Sequence, residues 1–269
     1  WMPEHRRWVN IRSESAAALA FPFPYRPGQR SMAVAVYRNI KSRGRLFVEA
    51  PTGIGKTLSV LFPAIKALGE DHIEKIFYLT AKTIGRNVAE NTLADLRRTG
   101  LKLRAVSITA RDKICFNNGQ PCDIRTCPFA IGYYDRIKSA LKDSLEGEVF
   151  TRPEIEALAR KHQVCPFELS LDLSVWADCV ICDYNYALDP FVSLKRYFSG
   201  ERCNFTLLID EAHNLVDRAR EMFSAELLKD EILSLKSALS DDLPACAKLL
   251  NRLNSRFLKF AKEDGWQER

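Results

Sequence analysis

The chain has 269 residues, with 40 Lys and Arg against 34 Asp and Glu for a net charge of +6. Hydrophobic residues at 46% and charged residues at 28% belong to an ordinary folded protein and exclude wholesale disorder. No apolar run approaches the roughly 18–20 residues of a membrane span, and no apolar signal-peptide core follows the charged start at His5, Arg6 and Arg7.

The mild positive charge permits a nucleic-acid partner without demonstrating one. The first residue is Trp1 rather than Met, which suggests a piece of a longer protein. Eight cysteines at this length, with no secretory signal, read as reduced thiols inside a cell, some of them metal ligands, rather than as a disulfide framework.

Residues 1–20 are polar with no strong pattern and are expected to be a linker. Phe21 to Arg30 (F-P-F-P-Y-R-P-G-Q-R) carries three prolines in seven residues, which hold the backbone extended. A helix is predicted from Ser31 to Lys41. Leu46 to Ala50 then reads as a short strand ending in a glycine turn, and a helix over Lys56 to Leu68 should kink at Pro63. Strands at Ile76 to Thr80 and Ala105 to Thr109 flank a helix from Gly85 to Arg98. This alternation argues an α/β fold with a parallel sheet and crossover helices.

The pattern breaks near Ala110. Residues 110–170 read as an irregular insertion with two convincing helices, one opened by a capping box at Thr151 to Glu154, and with too little apolar sequence for much core of its own. Strands return at Cys179 to Cys182 and Phe205 to Ile209. After Phe223 the sequence is all helical and amphipathic. The expected organisation is therefore a linker over 1–20, one α/β domain over 21–109 and 171–222, an insertion over 110–170, and an incomplete helical segment over 223–269.

Ala50 to Thr57 (A-P-T-G-I-G-K-T) lies between an apolar strand and a helix and ends in the G-K-T of a Walker A loop, with Ala50 in place of the usual first glycine. Thr52, Gly53, Ile54 and Gly55 form its body. The two glycines let successive N–H groups close around phosphates, Lys56 reaches the β- and γ-phosphates, and Thr57 supplies an oxygen to Mg²⁺. The plain alternative is a glycine turn with a chance lysine. Asp210 to His213 (D-E-A-H) ends the strand Phe205 to Ile209, where an acid can hold the Mg²⁺ shell and Glu211 can polarise the attacking water.

Cys115, Cys122, Cys127 and Cys165 have six, four and thirty-seven residues between them. Only Cys122 and Cys127 approach a zinc knuckle, so the spacing disfavours zinc without excluding it, and four buried free cysteines are the plain alternative. Cys179 and Cys182 form a C-x-x-C, but positions i and i+3 of a strand point to opposite faces and share no ion. Arg97, Arg98, Lys102, Arg104, Arg111 and Lys113, with one intervening acid, form a basic stripe leading into the cysteine region. Phe116, Phe129, Tyr133 and Tyr134 read equally as base-stacking residues or as core.

Taken together, A-P-T-G-I-G-K-T with D-E-A-H resembles a superfamily 2 helicase of the XPD/DinG type, over roughly residues 21–225. The resemblance implies a RecA-like P-loop NTPase fold with an iron–sulfur insertion and the beginning of an Arch-like helical domain at 223–269. Tyr25 to Gln29 (Y-R-P-G-Q) is similar to the family's Q motif, with Tyr25 at the nucleotide and Gln29 on the adenine edge. Tyr78 to Thr83 is similar to motif Ia, which implies that Lys82 and Thr83 contact single-stranded DNA. His213 would couple the nucleotide site to the DNA side. The four cysteines fall where the family holds a [4Fe–4S] cluster, and Arg111, with Lys113, falls at a basic position next to DNA and cluster.

The implied protein is an ATP-dependent, Mg²⁺-requiring DNA helicase that moves 5′ to 3′ and acts on single-stranded and forked DNA. It has no membrane partner and a cytoplasmic setting of bacterial type. Motifs III to VI and a second RecA-like domain are expected outside these residues, so this piece is expected to hydrolyse ATP weakly. Two rivals remain. One is an RNA helicase of the DEAH type. The other is a non-catalytic nucleic-acid-binding or redox-sensing module with a vestigial P-loop.

Overall fold

The computed structural model describes residues 2–51, 53–81, 83–117, 120, 122–198 and 204–263. In chain order the elements are α1 (Met2–Ala18), α2 (Gln29–Lys41), α3 (Lys56–Gly69), β1 (Lys75–Leu79), α4 (Thr83–Arg98), β2 (Ala105–Ser107) and α5 (Arg111–Ile114). There follow α6 (Tyr133–Ser144), β3 (Val149–Phe150), α7 (Arg152–His162), α8 (Pro166–Trp176), β4 (Cys179–Cys182), α9 (Asn185–Leu188), α10 (Lys195–Phe198) and β5 (Phe205–Ile209). A short 3₁₀ turn (Ala212–Asn214) leads into α11 (Leu215–Met222), α12 (Lys229–Leu239) and α13 (Pro244–Glu263). Residues 1–218 and 219–269 form two compact units. In the second, α12 packs on α13. No helix among the described residues is long and apolar enough to cross a membrane.

The first unit is built on a parallel five-stranded sheet in the order β3-β2-β4-β1-β5, the α/β architecture the sequence pattern predicts. Ile76 lies opposite Cys179 and Leu79 opposite Ile209, so β1 sits inside the sheet and β5 at its edge. One face packs Ile76, Tyr78, Cys179 and Ile181 against Leu61, Ile65 and Leu68 of α3, Leu93 and Leu96 of α4, and Val36 and Ile40 of α2. On the other face Phe77 meets Tyr197, Phe198 and Phe205 edge-on or tilted, with ring centroids 5.1–5.4 Å apart. Helices on both faces explain why the strands read as continuous apolar runs. Cys179 and Cys182 are fully buried in β4, Cys179 on the α3 face, as alternation requires. Burial pushes the Cys179 thiol up to about 12, and Cys182 in the same direction, so neither thiol is poised as a thiolate ligand.

Three expectations are corrected. Residues 1–20 are not a linker: α1 docks on the sheet domain through Trp8, Arg12 and Ala16, one stripe of the helix, and Leu19 just past its end is buried too. Trp8 Nε1 and an Arg12 guanidinium nitrogen donate to the two oxygens of Asp178 at 2.9 and 3.1 Å, and the Arg104 amide adds a third bond at 2.9 Å. The Arg104 guanidinium stacks over the Trp8 ring at 4.1 Å. The stripe uses an indole and a buried charge instead of aliphatic residues, and its partner is 166 residues away, so no local pattern reveals it.

Leu46 to Ala50 forms no strand. The segment is irregular, and Phe47 is 90% exposed. An apolar run becomes a strand only against a ladder partner, and the sheet's pairing ends at β5. Residues 110–170 are also more ordered than expected. They supply α5, α6, α7, the first turn of α8 and the edge strand β3, which pairs with β2. Ile137, Ala140, Ile155, Ala159, Val164 and Leu169 are buried there, so this region does build core. The capping box at Thr151 and Glu154 forms as the sequence predicts, and α3 continues through Pro63.

Candidate nucleotide site and cysteine module

The P-loop runs into the N-terminus of α3. Gly53 and Gly55 have φ of 85° and 82°, a left-handed backbone that only glycine adopts without strain. A Cβ on Gly55 would also collide with Gln29 Nε2. Gln29 is buried beneath the loop and accepts the Arg26 amide at 2.8 Å through Oε1, while the Arg26 guanidinium donates to the Gly53 carbonyl. Tyr25 stacks on Phe21, ring centroids 4.1 Å apart, and Phe21 meets Phe62 of α3. The proline-rich segment is thus tied to the loop by both a hydrogen-bond bridge and an aromatic stack. Ile54 is half-buried; Thr52 lies outside the described residues.

The strand-end acids meet this loop. Asp210 continues β5, its amide bonded to the Leu79 carbonyl at 2.9 Å. Lys56 Nζ stands 3.6 Å from Glu211 Oε1 and donates to the Ala50 carbonyl at 3.3 Å. Thr57 Oγ1 lies 3.4 Å from the Tyr78 hydroxyl, which also bonds the Asp210 carboxyl. Burial raises the pKa of Asp210, and the neighbouring Glu211 raises it further, against the opposing pull of Tyr78 and Lys56. The carboxyl is half-buried beside the end of β5. With the Thr57 hydroxyl beside it, the donor set is the hard-oxygen chemistry that Mg²⁺ takes.

Glu211 adopts φ 50°, a left-handed backbone that costs a non-glycine residue about 1–3 kcal/mol. The Tyr184 hydroxyl holds that turn by donating to the Asp210 and Glu211 carbonyls. Burial pushes Tyr184 up to about 12, so it stays a neutral donor. His213, mostly exposed, reaches Glu211 through Nδ1 at 3.4 Å. Sequence reasoning assigns neither hydroxyl this role: Tyr78 enters only as the first residue of the motif Ia-like stretch, and Tyr184 lies in no motif.

In the cysteine region, Cys115 is half-buried at the end of α5, Cys122 exposed, Cys127 buried, and Cys165 half-buried at the N-cap of α8. Burial raises the Cys165 pKa, opposed by the Glu168 and Phe167 amides, which hydrogen-bond its sulfur; Cys115 is a close neighbour. Amides aimed at a sulfur from a helix start favour a thiolate ligand. The Cys115 and Cys127 loops meet through Phe116 and Phe129, 5.0 Å apart, with the Arg160 guanidinium 4.0 Å over Phe116. Arg136 joins the Cys127 and Cys165 loops. Three of the four thiols therefore sit on loops fastened to one another. Among the described residues no three His, Cys, Asp or Glu side chains are close enough to hold a metal. The donor chemistry, cysteine sulfur, is the kind that an iron–sulfur cluster takes.

The basic stripe divides. Arg97 and Lys102 both pair with Glu148 at 2.8 and 2.9 Å, Arg98 pairs with Asp95, and Arg104 is buried. Arg111 and Lys113 stay exposed on α5 without an ion pair among the described residues. Thr83 is exposed at the start of α4; Lys82 lies outside the described residues. Arg86 donates to Thr109 Oγ1 at 3.0 Å, tying the start of α4 to the stretch that leads into Arg111. Of the four aromatics, Tyr133 is core, buried and bonded to Asp172 at 2.9 Å, while Tyr134 is 83% exposed.

Comparison with known proteins agrees with this fold. Residues 26–152 match the DEAD/DEAH box helicase family and residues 101–232 match DEAD_2. The XPD helicase subunit of general transcription and DNA repair factor IIH from Dictyostelium discoideum is 26% identical over 223 residues, covering 72% of this chain and 29% of that protein. The regulator of telomere elongation helicase 1 homolog from Caenorhabditis elegans is 24% identical over 268 residues, covering 84% of this chain and 26% of that protein. The chain thus spans little more than a quarter of the length of these two relatives. In fold, it matches a solved XPD helicase with TM-score 0.60 at 18% identity, over 86% of this chain and 40% of that one. A truncated XPD matches with TM-score 0.59 at 18% identity, over 83% of this chain and 64% of that one.

Proposed function

We propose, for a chain that belongs to the XPD-type superfamily 2 helicases, that it binds Mg-ATP between the P-loop and the strand-end acids and serves an ATP-dependent DNA helicase. The observation that carries this reading is the convergence of Lys56 on Glu211 at 3.6 Å, with Thr57, Tyr78 and Asp210 beside them. Phosphates at the start of α3 would meet the amides that follow Gly53 and Gly55, the helix dipole and the Lys56 ammonium. Lys56 would then exchange Glu211 for phosphate oxygens, leaving Glu211 free to orient and deprotonate the attacking water. Thr57 and Asp210 would hold Mg²⁺, which neutralises charge on the transferred phosphoryl group. Tyr25 lines the nucleotide side and Gln29 acts on the adenine edge, with Thr52 and Ile54 completing the loop. His213, joined to Glu211, relays the state of the site toward DNA.

Thr83, Lys82, Arg111 and Lys113 are proposed to contact the phosphates of one DNA strand, with 5′ to 3′ movement and forked DNA as the natural substrate. Cys115, Cys122, Cys127 and Cys165 are proposed as ligands of a [4Fe–4S] cluster, which would cross-link loops that helices alone hold at one end. In this reading residues 21–109 and 171–222 form the first RecA-like domain, 110–170 the cluster insertion and 223–269 the start of an Arch-like domain. The setting is intracellular, where thiols stay reduced. Rapid turnover needs a second RecA-like domain and its arginine, so the 269 residues by themselves should bind nucleotide and hydrolyse it slowly.

The test is ATP turnover and unwinding by the complete protein, on forked DNA and on matched RNA, with Lys56→Ala beside it. The expected result is DNA-stimulated turnover that falls at least about a hundredfold in the variant, with single-strand binding retained. Preference for RNA would move the chain to the RNA helicases. Salt-dependent DNA binding with no nucleotide response would leave a binding module.

A further inference from the structure

Arg136 stands in α6, one turn after Gly132, and its guanidinium meets no carboxylate among the described residues. It donates to three main-chain carbonyls instead: Nε to Gln163 at 2.9 Å, and one terminal nitrogen to Pro128 at 3.1 Å and Ile131 at 2.7 Å. Pro128 adjoins Cys127, and Gln163 precedes Cys165 by two residues. We propose that Arg136 is the positioning residue of the cysteine module, holding the Cys127 and Cys165 turns at the separation a shared iron–sulfur cluster requires. This rests on the reading of the four cysteines as cluster ligands.

The two turns that Arg136 joins are each closed on themselves, so holding their carbonyls holds their thiols. The Ala130 and Ile131 amides both bond back to the Cys127 carbonyl at 3.0 Å. On the other side Gln163 ends α7 with φ 52°, a strained turn that buries Val164 and delivers Cys165 to the start of α8. The planar guanidinium reaches one turn through Nε and the other through a terminal nitrogen, a fixed two-point span that the single nitrogen of a lysine ammonium does not reproduce. The Phe116, Phe129 and Arg160 stack joins the Cys115 loop separately, so removing Arg136 loosens one specific pair of turns. A cluster bound by four thiolates is net negative, and an unpaired guanidinium beside it favours its retention. Arg136 touches no cysteine, so it acts through the turns.

The experiment uses the chain with Arg136→Ala and Arg136→Lys, purified without oxygen. Iron and sulfide are counted, and loss of visible absorbance is followed after an iron chelator is added. Thermal unfolding and ADP binding are measured alongside. The wild type is expected to hold about four irons and four sulfides, and Arg136→Ala to lose them at least about tenfold faster, with unfolding temperature and ADP binding unchanged. Arg136→Lys should fall between, and millimolar guanidinium ion should slow the loss in Arg136→Ala. Retention at the wild-type rate in Arg136→Ala overturns the proposal. Should that variant not fold, wild-type retention in folded Arg136→Lys overturns it equally. A wild-type chain with no iron or sulfide removes the four-cysteine reading itself, a failure distinct from the other two.

Discussion

The nucleotide site and the cysteine module are both loops set between helices, yet they are assembled in different ways. The P-loop is complete within eight consecutive residues: glycines at 53 and 55 supply the left-handed turns, and Lys56 and Thr57 open the helix that follows. Its one distant requirement, the acids after β5, is met because β5 pairs directly with β1. The cysteines span fifty-one residues and depend on the packing of α6, α7 and α8, with Arg136 and the Phe116 stack joining the loops. A site built from neighbours in sequence needs only local backbone geometry. A site built from distant turns needs a framework, and it is the framework that variants will expose.

The comparison is sharpened most by Cys165→Ser. Iron should drop from about four per chain to near none, while ADP affinity stays within about twofold, measured by iron assay and calorimetry on the same sample. Loss of nucleotide binding along with the iron would mean that the two regions are one cooperative structure.

The converse is Gly55→Ala, which forces a residue that prefers right-handed backbone into a left-handed position and drives a methyl into Gln29. A stability loss of about 1–3 kcal/mol, read from urea unfolding, should accompany loss of nucleotide binding with the iron content unchanged. Wild-type ADP binding in this variant would show that the loop's conformation is not the one phosphate requires.

The smallest effect is expected from Asp210→Asn. Asp210 carries a raised pKa, so the folded chain holds its proton more tightly than the unfolded chain does. Its contribution to stability is present below the ordinary value of 3.8 and is lost as pH rises through the raised one. At neutral pH the ionised carboxyl is thus a cost, and the asparagine should melt slightly higher than the wild type without Mg²⁺. With Mg-ADP the order should reverse, since only the carboxylate gains the metal. A melting temperature that falls without Mg²⁺ would contradict the burial of this group.

Much of this was readable from residues alone. Strands at 76–80, 105–109, 179–182 and 205–209 stand out because a sheet covered on both faces makes continuous apolar runs, and they fall where the structure has β1, β2, β4 and β5. Lys56, Thr57, Asp210 and Glu211 stand out through short motifs. The misses share a cause. Residues 1–20 looked like a linker because Arg12 is a core residue only once Asp178 is beside it. Leu46 to Ala50 looked like a strand because apolarity was visible and the missing ladder was not. Arg97, Lys102 and Arg104 looked like members of one continuous basic stripe until Glu148 and Trp8 took them up.

The sequence by itself determined the parallel α/β class, the glycine-rich loop that opens α3, the acids at the strand end and the four-cysteine pattern. These rest on backbone preference, alternation and spacing, which act between near neighbours. Tertiary structure alone decided that α1 belongs to the domain, which charges stay free, that Tyr78 and Tyr184 support the acids, and that Arg136 joins two cysteine turns. Each of those depends on a contact between residues far apart in the chain. Such a contact exists only after the core has closed and brought its two partners out of water together.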